Sequence, residues 1–136
     1  MFVLDTNVVS ELRRPARADP RVMAWASTHS LSSFFLSSIT ILELELGVLQ
    51  MERRDPAQGA VLRAWLDDQV MPRFADRVLS VDAAVAQRCA RLHVPDPRSD
   101  RDALIAATAL VHGMSVVTRN LSDFAATGVG IVDPWA

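Results

Sequence analysis

The residues best suited to chemistry are four acids spread along the chain: Asp5, Glu43, Asp102 and Asp123. Asp5 ends the apolar run Phe2-Val3-Leu4, too short for a helix and rich in strand formers, and so lies at a strand's carboxyl end. In open α/β sheets that edge is where ligands bind. Asp123 comes just past a second such run, Ser115 to Thr118, while Glu43 and Asp102 fall in helical stretches that would pack against those strands. If the strands are parallel, all four carboxylates converge on one end of the sheet. Gathered there, they repel one another by several kcal/mol unless cations intervene. Hard oxygen ligands of this kind select Mg²⁺ or Mn²⁺ and not zinc.

Each acid taken singly also has an ordinary explanation. Asp5 can cap a first helix, Asp102 can sit at the positive end of its helix dipole, and Asp123 can cap a short helical stretch through Phe124 and Ala125. Glu43 resists such a reading because it is in mid-helix. At 100° per residue, Ile39, Leu42, Leu46 and Leu49 form one stripe, and Glu43 lies beside it. An acid flanked by inward-facing leucines must be paired, protonated or bound to metal. Ile41, Leu44 and Val48 cover the opposite side, so this helix is apolar nearly all round. It is expected to be buried by the sheet on one face and by a second copy of the chain on another, as in a homodimer.

The elements that must position these acids follow from local signals. After the first strand, Val8 to Arg14 reads as a helix with Asn7 as its cap, ended by Pro15. Asp19-Pro20 starts a second helix, running to about Ser27. Phe34 to Leu36 is a strand, Ile39 to Met51 the apolar helix, and Asp55-Pro56 opens a helix to about Val70 that Pro72 ends. Val78 to Val81 is a strand, Asp82 caps a helix through Leu92, and Val94 to Ser99 is a loop. Asp102 then opens a helix to His112, with Gly113 as a left-handed cap, before strands at Ser115 to Thr118 and Val129 to Val132. Alternation of this kind predicts an α/β fold, a parallel sheet covered on both faces.

Composition sets the bounds. At 136 residues, half of them hydrophobic, the chain suits one folded domain. No apolar run approaches the roughly 20 residues of a membrane span, and Met1 leads directly into the strand with no basic segment ahead of it. We therefore expect neither signal peptide nor anchor. The single cysteine, Cys89, fits a reducing cytoplasm and reads as a buried, inert thiol. Net charge is −2, and every basic residue is arginine. With the four acids set aside as metal ligands, 14 arginines face 12 remaining acids, a weakly basic surface. Arg13, Arg14, Arg17 and Arg21 cluster after the first strand, as phosphate-binding forks or as solvated helix-end charges. Tight RNA binding by charge alone is not supported. His29, His93 and His112 lack ligand spacing and read as surface or helix-end residues. There is no GxGxxG, P-loop, CxxC pair or GxSxG, which leaves nucleotide cofactors and serine nucleophiles without support.

Taken together, Leu4-Asp5-Thr6-Asn7, Thr40-Ile41-Leu42-Glu43-Leu44-Glu45-Leu46-Gly47, Asp102-Ala103-Leu104-Ile105-Ala106-Ala107-Thr108-Ala109, Thr118-Arg119-Asn120 with Asp123-Phe124, and Asp133-Pro134-Trp135 resemble a PIN-domain protein. The likeness is to the toxins of bacterial VapBC toxin-antitoxin systems, the FitB-like branch in particular, and spans the whole chain as a single PIN domain. The resemblance implies a three-layer α/β/α sandwich around a central parallel β-sheet, Mg²⁺- or Mn²⁺-dependent cleavage of RNA, and a homodimer held inactive by a VapB-type antitoxin. It also implies that Asp5, Glu43, Asp102 and Asp123 form the acidic quartet. Family members carry the last acid either directly after the Thr-Arg pair or a few residues later. Here Asn120 holds the first place and Asp123 the second, so either can complete the site. Thr6, Asn7 and Thr118 would support the ligands, and Arg13, Arg14, Arg17 and Arg119 would hold the RNA backbone. Two other readings compete: a PIN-like module that binds RNA or protein without cutting, and a phosphoacceptor domain with Asp5 as nucleophile. The intact acidic set speaks against the first. The absence of a second acid two residues beyond Asp5 speaks against the other.

Overall fold

The computed structural model describes all 136 residues. β1 (Phe2–Leu4) leads straight into α1 (Thr6–Glu11), and α2 (Pro20–Ser27) follows before β2 (Phe34–Ser37) and α3 (Ser38–Arg54). α4 (Pro56–Trp65) continues through a π-turn, Leu66–Val70, into the single turn α5 (Met71–Arg73). Then come β3 (Val78–Leu79), α6 (Ala83–Leu92), α7 (Asp100–His112), β4 (Ser115–Val117), α8 (Leu121–Phe124) and β5 (Ile131–Val132). The five strands form one parallel sheet in the order β3-β2-β1-β4-β5.

Both faces of this sheet are covered, which makes the expected α/β/α sandwich. Successive residues of a strand point to opposite faces, so Leu4 and Val117 join one core with Val8, Val22, Leu44 and Val48, while Val3 and Val116 join the other with Val85, Ile105, Ala106 and Phe124. The alanines of α7 are fully buried, as their small size at the sheet suggested. β1 lies between β2 and β4, with Phe2 opposite both Phe34 and Ser115. The central strand therefore delivers Asp5 to the middle of the carboxyl edge. No helix is long and apolar enough to cross a membrane.

Several local readings need correction. The cap of α1 is Asp5, whose side chain accepts from Thr6 N, and not Asn7; the helix also stops at Glu11, short of Arg14. Pro72 does not end the long helix but sits in the first turn of α5, where a missing N–H is tolerated. In α3 the buried residues are Thr40, Leu44 and Val48, whereas Leu42 and Leu49 are about half exposed. Spacing alone could not say which face of an all-round apolar helix meets the sheet. Consequently Glu43 is not wedged among inward leucines. α7 begins two residues before Asp102, and β3 and β5 are each two residues long, shorter than expected. His29, partly exposed at the end of α2 as a helix-end residue, also packs its ring 4.9 Å from Phe2 and 4.8 Å from Trp25. Cys89 is buried, and burial pushes its thiol pKa up, in keeping with an inert role.

Candidate active site

Asp5 is built into the fold by its backbone before its side chain does anything. Its N–H extends the β1–β4 ladder by donating to Val117 O, and its carbonyl accepts from Val8 and Val9 in the first turn of α1. The carboxylate is 4% exposed and accepts three hydrogen bonds: from Thr6 N (2.8 Å), Thr118 Oγ1 (2.8 Å) and Asn7 Nδ2 (3.2 Å). Burial raises its pKa, the bonds from Thr118 and Thr6 pull it back, and the charges of Glu43 and Asp123 raise it further.

Glu43 projects from the side of α3 and accepts at 2.7 Å from Thr6 Oγ1, so the residue after Asp5 ties α1 to α3. Asp102 lies in the first turn of α7. Its pKa is pushed up to about 6, first by burial and then by the charges of Asp5, Asp123 and Glu43. Four acids from four parts of the chain thus share one field at the carboxyl end of the central strands. Asp123 is an exposed residue inside α8, not its cap, and Asn120 occupies the cap position without a side-chain capping bond. Asn120 instead donates its N–H to Thr118 Oγ1 at 2.9 Å, and Arg119 N donates to Asn7 Oδ1 at 3.3 Å. Thr6, Asn7, Thr118 and Asn120 therefore form one hydrogen-bonded frame around Asp5.

The arginines divide. Arg21 is paired with Asp19 at 2.9 Å and is taken out of the reckoning. Arg14 and Arg17 are exposed in the turn that follows α1, a segment fastened where Asp19 N donates to Glu11 at 2.7 Å. Arg13 leans over the ring of Trp65, and Arg119 over that of Trp135. Arg101, which motif reasoning passed over, places Nη1 3.8 Å from Glu43 Oε2. Its signal was plain enough: it directly precedes Asp102 in the chain.

The donor set suits a hard divalent cation: every candidate ligand is an oxygen, and the carboxyls of Asp5 and Asp102 have pKa values raised by burial and by the neighbouring acids. As placed, no three acidic, histidine or cysteine side chains close on one point. The frame around Asp5 is rigid, whereas Asp123 stands at the exposed rim.

Comparison with known proteins agrees with the fold. Residues 2–129 match the PIN domain family, and the chain belongs to it. Over 99% of its length it is 38% identical to the VapC ribonuclease Y4jK of Sinorhizobium fredii, covering 98% of that protein. It is 36% identical to the toxin FitB of Neisseria gonorrhoeae, covering 99% of each. The crystal structure of FitAcB from Neisseria gonorrhoeae superposes with a TM-score of 0.90 at 36% identity over 99% of both chains. DNA-bound VapBC from Salmonella typhimurium superposes at 0.75 with 25% identity over 99% of this chain and 98% of that one.

Proposed function

We propose that this chain is a metal-dependent endoribonuclease and the toxin of a toxin-antitoxin pair. The observation that carries the reading is the shared field at the sheet edge, where Glu43 and Asp123 raise the cost of charge on Asp5 and Asp102 in a chain akin to a VapC ribonuclease. Mg²⁺ or Mn²⁺ would be held by Asp5 and Asp102, with Glu43 beside them and either Asp123 or Asn120 completing the set. When bound, such an ion lowers the pKa of a water and offsets charge on the phosphate. Asp5 stays fixed throughout, because Thr6, Asn7 and Thr118 hold both its oxygens. Thr6 keeps Glu43 turned toward Asp5 through its hydroxyl. Arg13, Arg14, Arg17 and Arg119 would take the RNA backbone, Arg14 and Arg17 from the exposed turn beyond α1.

A homodimer is part of the proposal and is supported by apolar side chains that α3 and α4 leave outward: Leu42, Leu49 and Val61 are each about half exposed. A partner antitoxin is supported by the company the fold keeps, since the superposed chains belong to FitAcB and VapBC assemblies. We place its action in the cytoplasm, where RNA and such an antitoxin would meet it.

The test is cleavage of labelled total bacterial RNA by the purified, antitoxin-free chain with Mg²⁺, with Mn²⁺ and with EDTA, beside Asp5→Asn. Discrete fragments should require metal and fall at least ~100-fold in the variant, as loss of outer-sphere support alone removes 10- to 100-fold at metal sites. Folded protein that never cuts but retains RNA would make the chain a binding module instead.

A further inference from the structure

Beside the acidic site lies a cavity of about 160 Å³ that motif reasoning did not anticipate. Thr6 and Glu43 form the wall it shares with the acids, and Ser10, Arg13, Gly47 and Trp65 complete its polar and aromatic lining. We infer that this cavity is a nucleotide subsite of the ribonuclease, seating one RNA base against Trp65 and the adjoining phosphate on Arg13. The inference rests on the function proposed above and adds to it the place where the RNA is read.

Three observations carry it. Arg13 forms none of the chain's ion pairs. Its guanidinium is partly buried, and burial together with Arg14 lowers its pKa, so an arriving anion relieves it. Its nearest aromatic neighbour is Trp65, 5.9 Å from guanidinium carbon to ring centre, and a base or a phosphate can exploit that pairing of cation and π-face. Finally, Gly47 is an exposed residue on the cavity's lining, and a Cβ built there meets nothing within 4 Å. A glycine inside a 17-residue helix weakens that helix without any packing need for it, which is understandable if the space is used. The larger groove beyond Trp65 differs in kind. It is lined by nine hydrophobic residues out of twelve and offers no comparable cation facing the acids.

The experiment uses the full chain in EDTA, so that RNA is bound and not cut. Two probes are compared by fluorescence anisotropy: a labelled nine-nucleotide RNA of random sequence, and an equally long strand of abasic ribose phosphate. The wild type should bind the RNA about tenfold or more tighter, as stacking on an aromatic ring provides. Trp65→Ala should erase that difference, and Arg13→Gln should weaken both probes alike and lower the salt slope by about 1. Because Trp65→Ala can disturb the fold, Gly47→Leu serves as a second variant: it fills the cavity while raising helix propensity. It should therefore lose base discrimination and raise KM with kcat largely kept, at equal or higher Tm. If folded Trp65→Ala and Gly47→Leu discriminate the probes as well as wild type, the subsite is overturned. The same holds if they leave RNA binding intact but lose a co-expressed antitoxin, which would assign the cavity to a protein partner. A wild type that neither cuts nor binds RNA would instead overturn the ribonuclease reading itself.

Discussion

Asp5 does two jobs with one carboxylate. One oxygen caps α1 through Thr6 N, while the other accepts from Thr118 and Asn7, so the ordinary reading and the chemical one hold together. Thr118 matters most, because its fully buried hydroxyl bridges Asp5 and the backbone of Asn120. Thr118→Val keeps the shape and removes the bridge. We expect divalent-ion affinity at pH 7 to fall about 10- to 100-fold by titration calorimetry, with a stability loss of about 1–3 kcal/mol for the under-bonded buried carboxylate. Unchanged ion affinity would mean that Thr118 serves packing alone. Asp5, Glu43 and Asp102 could be picked out from residue type and position taken together, because Glu43 in mid-helix lacks the capping explanation that Asp5 and Asp102 each have singly. Trp65 could not, since nothing local tells a packing tryptophan from one beside a site, whereas Arg101 was marked only by directly preceding Asp102.

At the scale of elements, the site depends on how α3 and α4 cross. Gly59 of α4 packs so closely on α3 that a Cβ there would lie 2.4 Å from Glu52 Cα, a backbone atom that cannot swing aside. Across the same junction Arg63 reaches Glu45 at 2.6 Å and Glu52 at 3.3 Å, while Asp67, one turn on in its own helical run, lies 3.6 Å away. Gly59→Ala should therefore destabilise the protein by about 1–2 kcal/mol net, overpacking outweighing the gain in helix propensity. A lower urea midpoint at constant slope would show it; a raised midpoint would show that the helices part without penalty. Element types and order were legible from capping pairs, prolines and hydrophobic runs. The inward face of α3 was not, because Leu42 and Leu49 have the same periodic claim to the core as Leu44 and Val48. The π-turn was equally hidden, for Leu66–Val70 carries no residue signature of it and only Pro72 follows.

For the molecule as a whole, Asp5 and Asp102 make a pH-dependent load. Asp102 titrates near pH 6 in the fold against an ordinary value of 3.8, and Asp5 is shifted the same way. A carboxyl that holds its proton more tightly when folded favours the native state below pH 4 and loses that advantage as pH rises to about 6. In EDTA, then, Tm should fall across that window, with Asp102 contributing about 1 kcal/mol after allowance for solvent screening. Asp102→Asn should flatten the fall, and saturating Mg²⁺ or Mn²⁺ should offset it in the wild type. Equal slopes in variant and wild type would refute the assignment to Asp102. The strand order has a further consequence, for the timing of synthesis. β1 is made first yet needs β4, more than 100 residues later, for Val117 to take the N–H of Asp5 and Thr118 to hold its carboxylate. A chain still emerging from the ribosome can hold Asp5, Glu43 and Asp102 and have no assembled edge to mount them on. Any activity at that edge is thus switched on by completion of the fold and is withheld from the nascent polypeptide.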